Sequence, residues 1–201
     1  MQIGCACGKV SGRVEKASSK TVNRIRCYCR DCQAGAYLTD VDKVLDSHGG
    51  TEIYQTSPAL ISFHHGLENI GCTRLAGKGL MRWHSTCCNT AIANTLEDRK
   101  FAFVGLVHTC VQSPEMGDAR DQLIGAQIFD VNTGGAKNGP IKRIGQRRTI
   151  FKILSGVLKA KVTGTYKMNP FFDAVSGKPI VKPRVLSGEE SAAIYQKVDQ
   201  D

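Results

Sequence analysis

Apolar and polar residues alternate in short runs through the first half of the chain, and the period changes beyond residue 140. GKVSGRVEK (8–16) alternates loosely, and so does TEIYQTS (51–57), which ends at the turn-prone Ser57-Pro58. Successive side chains of a strand point to opposite faces, so this alternation predicts half-buried strands. Ala91–Thr95 and FAFVGLVH (101–108) are rich in apolar and β-branched residues and read as further strands. Asp40–Asp46 fits a short helical turn or a loop. Residues 1 to about 111 therefore predict a mainly β unit.

From Val111 to Pro140 glycines interrupt the pattern. Asp118–Phe129 reads as a short helix or strand, and NTGGAKNGP (132–140) reads as a linker. Ile144–Val162 then takes a helical period. Ile150, Ile153, Leu154, Val157 and Leu158 share one face, and Arg148, Lys152, Ser155 and Lys159 share the other. That stripe predicts a helix burying its apolar side on the β unit. Ser187 with Glu190 forms a capping-box pattern ahead of Ala192-Ala193-Ile194-Tyr195, which predicts a final helix. The expected organisation is a domain over 1–135 and a helical extension over 136–201 that packs on it or trails it.

Composition adds a core and a charge asymmetry. The 201 residues are 41% hydrophobic, enough to bury a real core. No run approaches the length needed to span a bilayer. The opening MQIGCACGKVSGRVEK lacks an apolar run, so a secretory leader is not expected, and a cytoplasmic setting is. The net charge of +9 is uneven, because twelve Lys and Arg between Lys137 and Arg184 face Asp173 as the single acid. Such a segment suits a solvated helix face, an anionic membrane surface or a protein partner. Its aromatics Phe151, Tyr166, Phe171 and Phe172 are few and not interleaved as stacking platforms, which argues against nucleic acid.

The nine cysteines carry the chemistry. In a reducing setting, closely spaced cysteines are metal ligands more often than disulfides. Cys27-Tyr28-Cys29-Arg30-Asp31-Cys32 puts three sulfurs on one tight segment. Three ligands leave a fourth position for water, a substrate thiol or a distant residue. A redox Cys-x-x-Cys pair is the competing reading, but it belongs beside a βαβ unit, and none is legible. Cys5-Ala6-Cys7-Gly8 is half a site and needs partners far along the chain. Cys87-Cys88 is the obvious source. Cys72 and Cys110 stand alone and read as small buried hydrophobes. Two zinc ions per chain are expected.

These motifs resemble the glutathione-dependent formaldehyde-activating enzymes, whose domain also occurs in centromere protein V. That family has Cys-x-Cys-Gly, then Cys-His-Cys-x-x-Cys, then Cys-x-x-Cys-Gly-Ser-Pro. The counterparts here are Cys5-Ala-Cys7-Gly8, Cys27-Tyr-Cys29-Arg-Asp-Cys32 and Ser85-Thr-Cys87-Cys88-Asn89-Thr90-Ala91. The resemblance covers about residues 1–111 and implies antiparallel β-sheets of the Mss4-like fold. It also implies a structural zinc held by the first and third motifs and a catalytic zinc at Cys27, Cys29 and Cys32. Three departures stand out. Tyr28 replaces His, Asn89 replaces Gly, and Ser85 replaces the first cysteine of the third motif. With Cys88 as third structural ligand, the fourth is Cys87 or His84.

The resemblance implies a carbon–sulfur lyase that joins a small thiol such as glutathione to formaldehyde, with His64 and His65 as polar groups at hand or as exposed strand residues. The departures keep open a non-catalytic zinc module that binds a protein partner. The fourth position of the triplet separates the two.

Overall fold

A computed structural model describes residues 1–112, 117–142 and 146–200, with the backbone alone over 146–149. Its strands are β1 (Gln2–Gly4), β2 (Ser11–Val14), β3 (Asn23–Cys27), β4 (Thr51–Thr56), β5 (Ile61–His65), β6 (Ile70–Arg74), β7 (Met81–Ser85), β8 (Ala91–Thr95), β9 (Val104–Val107), β10 (Phe129–Val131) and β11 (Arg184–Val185). Its helices are α1 (Arg30–Ala36), α2 (Val41–Val44), α3 (Asp118–Ile124), α4 (Gln146–Thr163) and α5 (Gly188–Gln200). The mainly β class is as expected. β1-β2-β5 form a small antiparallel sheet, and β10-β3-β4-β9-β8-β7-β6-β11 form a large one. The two edge strands β10 and β11 join it parallel, and its inner pairs are antiparallel.

The core lies between the sheets. Ile3, Val10 and Val14 from the small sheet meet Tyr54, Trp83, Ile92 and Leu106 from the large one. Trp83 is 1% exposed, and its indole N–H donates to Thr95 Oγ1 at 2.9 Å. A buried indole needs such a partner. Cys72 and Cys110 sit in this core, and burial pushes both thiols up to about 12. They are the buried hydrophobes their isolation suggested.

Several strands were hidden by buried polar residues. β3, β6 and β7 carry Arg24, Arg74 and Arg82, each buried. Arg24 is held between Glu52 at 2.8 Å and Asp121 at 2.7 Å, and Arg74 reaches Glu97 at 3.1 Å. Such pairing allows a guanidinium inside a sheet, but it erases the apolar alternation that marks a strand.

The segment beyond 136 shares the core. Phe171 is fully buried with its ring centroid 4.9 Å from that of Trp83, β11 extends the large sheet, and α5 packs on α1. The capping box forms as read: Glu190 N–H donates to Ser187 Oγ at 3.1 Å, and Ser187 N–H to Glu190 at 2.9 Å. α4 also forms, although Ile144 and the Arg148 side chain lie outside the described residues. Its packing corrects the expected burial. Ile153 and Val157 are half-buried and Ala160 is buried, whereas Ile150, Leu154 and Leu158 are 47%, 58% and 63% exposed. The helix contacts β10, and its bulkier apolar residues turn outward.

Candidate metal centres

The first cluster is built from two turns that meet across the sheets. Cys5 and Cys7 lie on the turn between β1 and β2, where Gly8 N–H returns to Cys5 O at 3.0 Å. Gly8 has φ +76°, the left-handed region open to glycine. Cys87 and Cys88 lie on the turn between β7 and β8, where Asn89 takes φ 57°. Asn tolerates that region, so its replacement of Gly leaves the turn intact. The sulfurs of Cys5, Cys7 and Cys87 are 3.3–3.6 Å apart, and Cys88 Sγ is 4.0 Å from Cys87 Sγ. A tetrahedral ion with bonds of about 2.3 Å separates its sulfurs by about 3.8 Å. All four sulfurs lie within 4.8 Å of one another and could hold a metal ion.

His84, the alternative fourth ligand, belongs to neither cluster and lines a cavity beside Cys32 instead. Ser85 lies against the cluster. Its hydroxyl lies 3.3 Å from Cys88 Sγ and accepts from Thr90 N–H at 2.9 Å. The Thr90 hydroxyl sits 3.2 Å from the same sulfur, and Val10 N–H donates to Cys5 Sγ at 3.2 Å. Burial works against ionisation of Cys88, yet the Ser85 and Thr90 hydroxyls hold it down at about 5. Cys87 goes the other way: burial and the neighbouring sulfurs of Cys7, Cys5 and Cys88 push it up to about 12. Four packed thiols cannot all ionise unless a cation compensates them, which is the condition a metal ion meets.

The second cluster lies where β3 runs into α1. Cys27 ends the strand, Cys29 caps the helix by accepting from Cys32 N–H at 3.4 Å, and Cys32 is in the first turn. Cys27 and Cys29 sulfurs are 3.5 Å apart, and the three lie within 4.8 Å of one another. Among the described residues no fourth Cys, His, Asp or Glu joins them. Hydrogen bonding with the thiols of Cys29 and Cys32 holds Cys27 far below an ordinary thiol, with the Asn132 amide adding to it and burial opposing. The contact with Cys27 pushes Cys29 up, and those with Cys27 and Cys29 push Cys32 up. Tyr28 points away from the sulfurs. It is fully buried, and its hydroxyl donates to Asp130 Oδ1 at 3.2 Å.

The stretch expected as a linker covers this cluster. β10 pairs with β3 so that Val131 faces Cys27, and Asn132 Nδ2 donates to Cys27 Sγ at 3.3 Å. Asn132 has φ 53°, and Gln33 Nε2 fastens the next turn through Gly135 O at 2.7 Å. Gly135 is required there, because a Cβ would stand 2.2 Å from Tyr28 O. Asn-Thr-Gly-Gly was the available signal, but it marks any turn. His64 and His65 are exposed on β5, and His65 Nε2 lies 3.2 Å from Gly8 O, beside the first cluster.

No helix among the described residues is long and apolar enough to cross a membrane. Neither curated proteins nor solved structures include a match to this chain. The model of DUF6151, a family of unknown function, matches residues 1–182, and this range takes in both cysteine clusters, the covering turn and α4. The chain belongs to that family.

Proposed function

We propose that this chain is a two-zinc protein whose Cys27, Cys29 and Cys32 centre receives a small thiol, such as glutathione, and joins it to formaldehyde. The observation that carries the reading is the contrast between the clusters: four sulfurs at the first, three with no fourth ligand among the described residues at the second. A four-thiolate site suits a structural zinc, and a three-ligand site suits a zinc with a position for substrate. The resemblance to the formaldehyde-activating enzymes and their Mss4-like fold supports the same division. A zinc at the triplet supplies a lowered pKa to an incoming thiol when bound. Asn132 orients Cys27, the Cys29–Cys32 turn sets the angle of the other sulfurs, and the 132–136 turn covers one side. In the reaction the thiol sulfur bonds to the aldehyde carbon, the carbon–oxygen π pair moves to oxygen, and the thiol proton ends there, giving an S-hydroxymethyl thioether. None of the nine cysteines is in a disulfide, which suits a reducing compartment such as the cytoplasm.

Cobalt substitution tests the reading, because thiolate-to-cobalt absorption reports sulfur ligation. Glutathione is expected to intensify and shift that absorption in the wild type and not in Cys29→Ser. An unchanged spectrum at millimolar glutathione overturns the reading and leaves a closed centre in a partner-binding module.

A second reading concerns α4. We propose that it contacts an anionic membrane surface, with or without catalysis at the zinc. Phe151, Leu154, Leu158 and Val162 are exposed along one side, with Lys159 and Lys161 exposed on the same helix. An apolar strip edged by lysines matches the boundary between acyl chains and anionic headgroups.

A further inference from the structure

We propose that the cavity beside Cys32 receives a single oxygen atom of a one-carbon ligand, either an aldehyde carbonyl or a formate carboxylate, held by Thr51 and Arg82. The aldehyde source rests on the thiol-addition reading above; the oxygen site does not. The cavity lies between α1 and the floor of the large sheet, where Cys32 and Gly35 face Thr51, Arg82, His84 and Asn94. It measures about 20 Å³, which is room for about one water-sized group. Ala36, Val44 and Val107 add apolar surface to its wall.

Among the described residues, two hydrogen-bond donors there lack acceptors. Thr51 is 3% exposed and Arg82 8%, and neither Thr51 Oγ1 nor Arg82 Nε has a hydrogen-bond partner among those residues. The remainder of the guanidinium is fixed. Nη1 donates to Asn94 Oδ1 at 3.1 Å and Nη2 to Asp31 O at 2.5 Å. Gly35 is part of the device, since a Cβ there would stand 2.5 Å from the guanidinium carbon. Arg82 therefore cannot swing away to find another acceptor without losing both bonds. Those bonds leave the Nε–H and the threonine hydroxyl unmet among the described residues. Buried donors of this kind are costly unless an acceptor meets them. An oxygen with two lone pairs and partial or full negative charge meets both. A volume of about one water-sized group leaves no room for a methyl group beside the oxygen, which favours a ligand with one carbon over larger aldehydes or acids.

The test is a titration of the full-length, metal-loaded protein with ¹³C-formate, followed by NMR, alongside acetate. Saturable formate binding is expected, with acetate at least about tenfold weaker. Thr51→Val keeps the shape of the side chain and removes the donor, so it is expected to weaken formate by about tenfold. Its thiolate-to-cobalt absorption must match the wild type, which shows that the cluster is intact. Arg82→Lys is a second variant, and Thr51→Val decides alone if the lysine protein does not fold. Absence of saturable binding overturns the proposal, as does equal affinity in Thr51→Val and wild type. If formate binds as stated and the cobalt centre ignores glutathione, the oxygen site stands with a carboxylate as its ligand and the thiol reading falls. If both hold, formate is expected to compete with formaldehyde in adduct formation, and the carbonyl is then the ligand.

Discussion

Ser85 and Cys87 decide how the first cluster, which could hold a metal ion, is assembled. In the sequence a serine stands where the resemblance places a cysteine. In the fold the turn between β7 and β8 brings Cys87 to 3.6 Å from Cys5 and 3.3 Å from Cys7, while the Ser85 hydroxyl lies against Cys88. With a metal held by Cys88, the serine would support that ligand from the side, a contribution that commonly tunes metal affinity by about ten- to a hundredfold. Each of Cys5→Ser, Cys7→Ser, Cys87→Ser and Cys88→Ser is expected to lose one of two bound metal equivalents. His84→Ala is expected to keep both. Elemental analysis of the purified variants checks this, and a loss of metal from His84→Ala with retention in Cys87→Ser would reverse the assignment.

At the scale of elements, α4 separates periodicity from packing. Its helical period is plain in the sequence, but apolar residues cover more than one side, and period alone does not choose the buried seam. In the fold the packed seam is Ile153, Val157 and Ala160. The outward side carries the membrane prediction. Burying one large apolar side chain contributes about 1.5–3 kcal/mol, and each lysine near an anionic surface contributes about 1 kcal/mol. The protein is expected to co-sediment with vesicles containing phosphatidylserine at low salt, and less as salt rises. Leu154→Ser with Leu158→Ser is expected to weaken this more than tenfold. Both positions are already exposed, so the melting temperature of the double variant is expected to stay close to that of the wild type. Lack of sedimentation of the wild type at low salt removes the membrane surface as the partner of α4.

For the whole molecule, the first cluster joins the small sheet to the large one, since Cys5 and Cys7 follow β1 and Cys87 and Cys88 follow β7. A structural zinc contributes on the order of 10 kcal/mol in small peptides, comparable with the entire stability of an ordinary domain of about 5–15 kcal/mol. Removing the metal with a chelator is therefore expected to lower the melting temperature by more than about 10 °C. Cys29→Ser, which spares the first cluster, is expected to lower it less. Calorimetry on metal-free and metal-loaded protein decides this, and an unchanged melting temperature after verified metal removal would deny the first cluster its structural role.

The sequence by itself determined the features that depend on local spacing. Cys27, Cys29 and Cys32 lie within six residues, and a strand-to-helix turn is enough to converge them. Ser187 and Glu190 cap α5 across one helical turn, and the Ala91–Thr95 run became β8 at its stated bounds. Only the tertiary structure decided what depends on distant register. Cys5 meets Cys87 because β1 and β7 belong to sheets that pack together. Asn132 meets Cys27 because β10 adds parallel to β3, which no local pattern specifies. The cavity at Arg82 exists because Gly35 lets α1 settle on the sheet. Buried arginines on β3, β6 and β7 concealed those strands, because pairing that makes burial tolerable comes from residues remote in the chain.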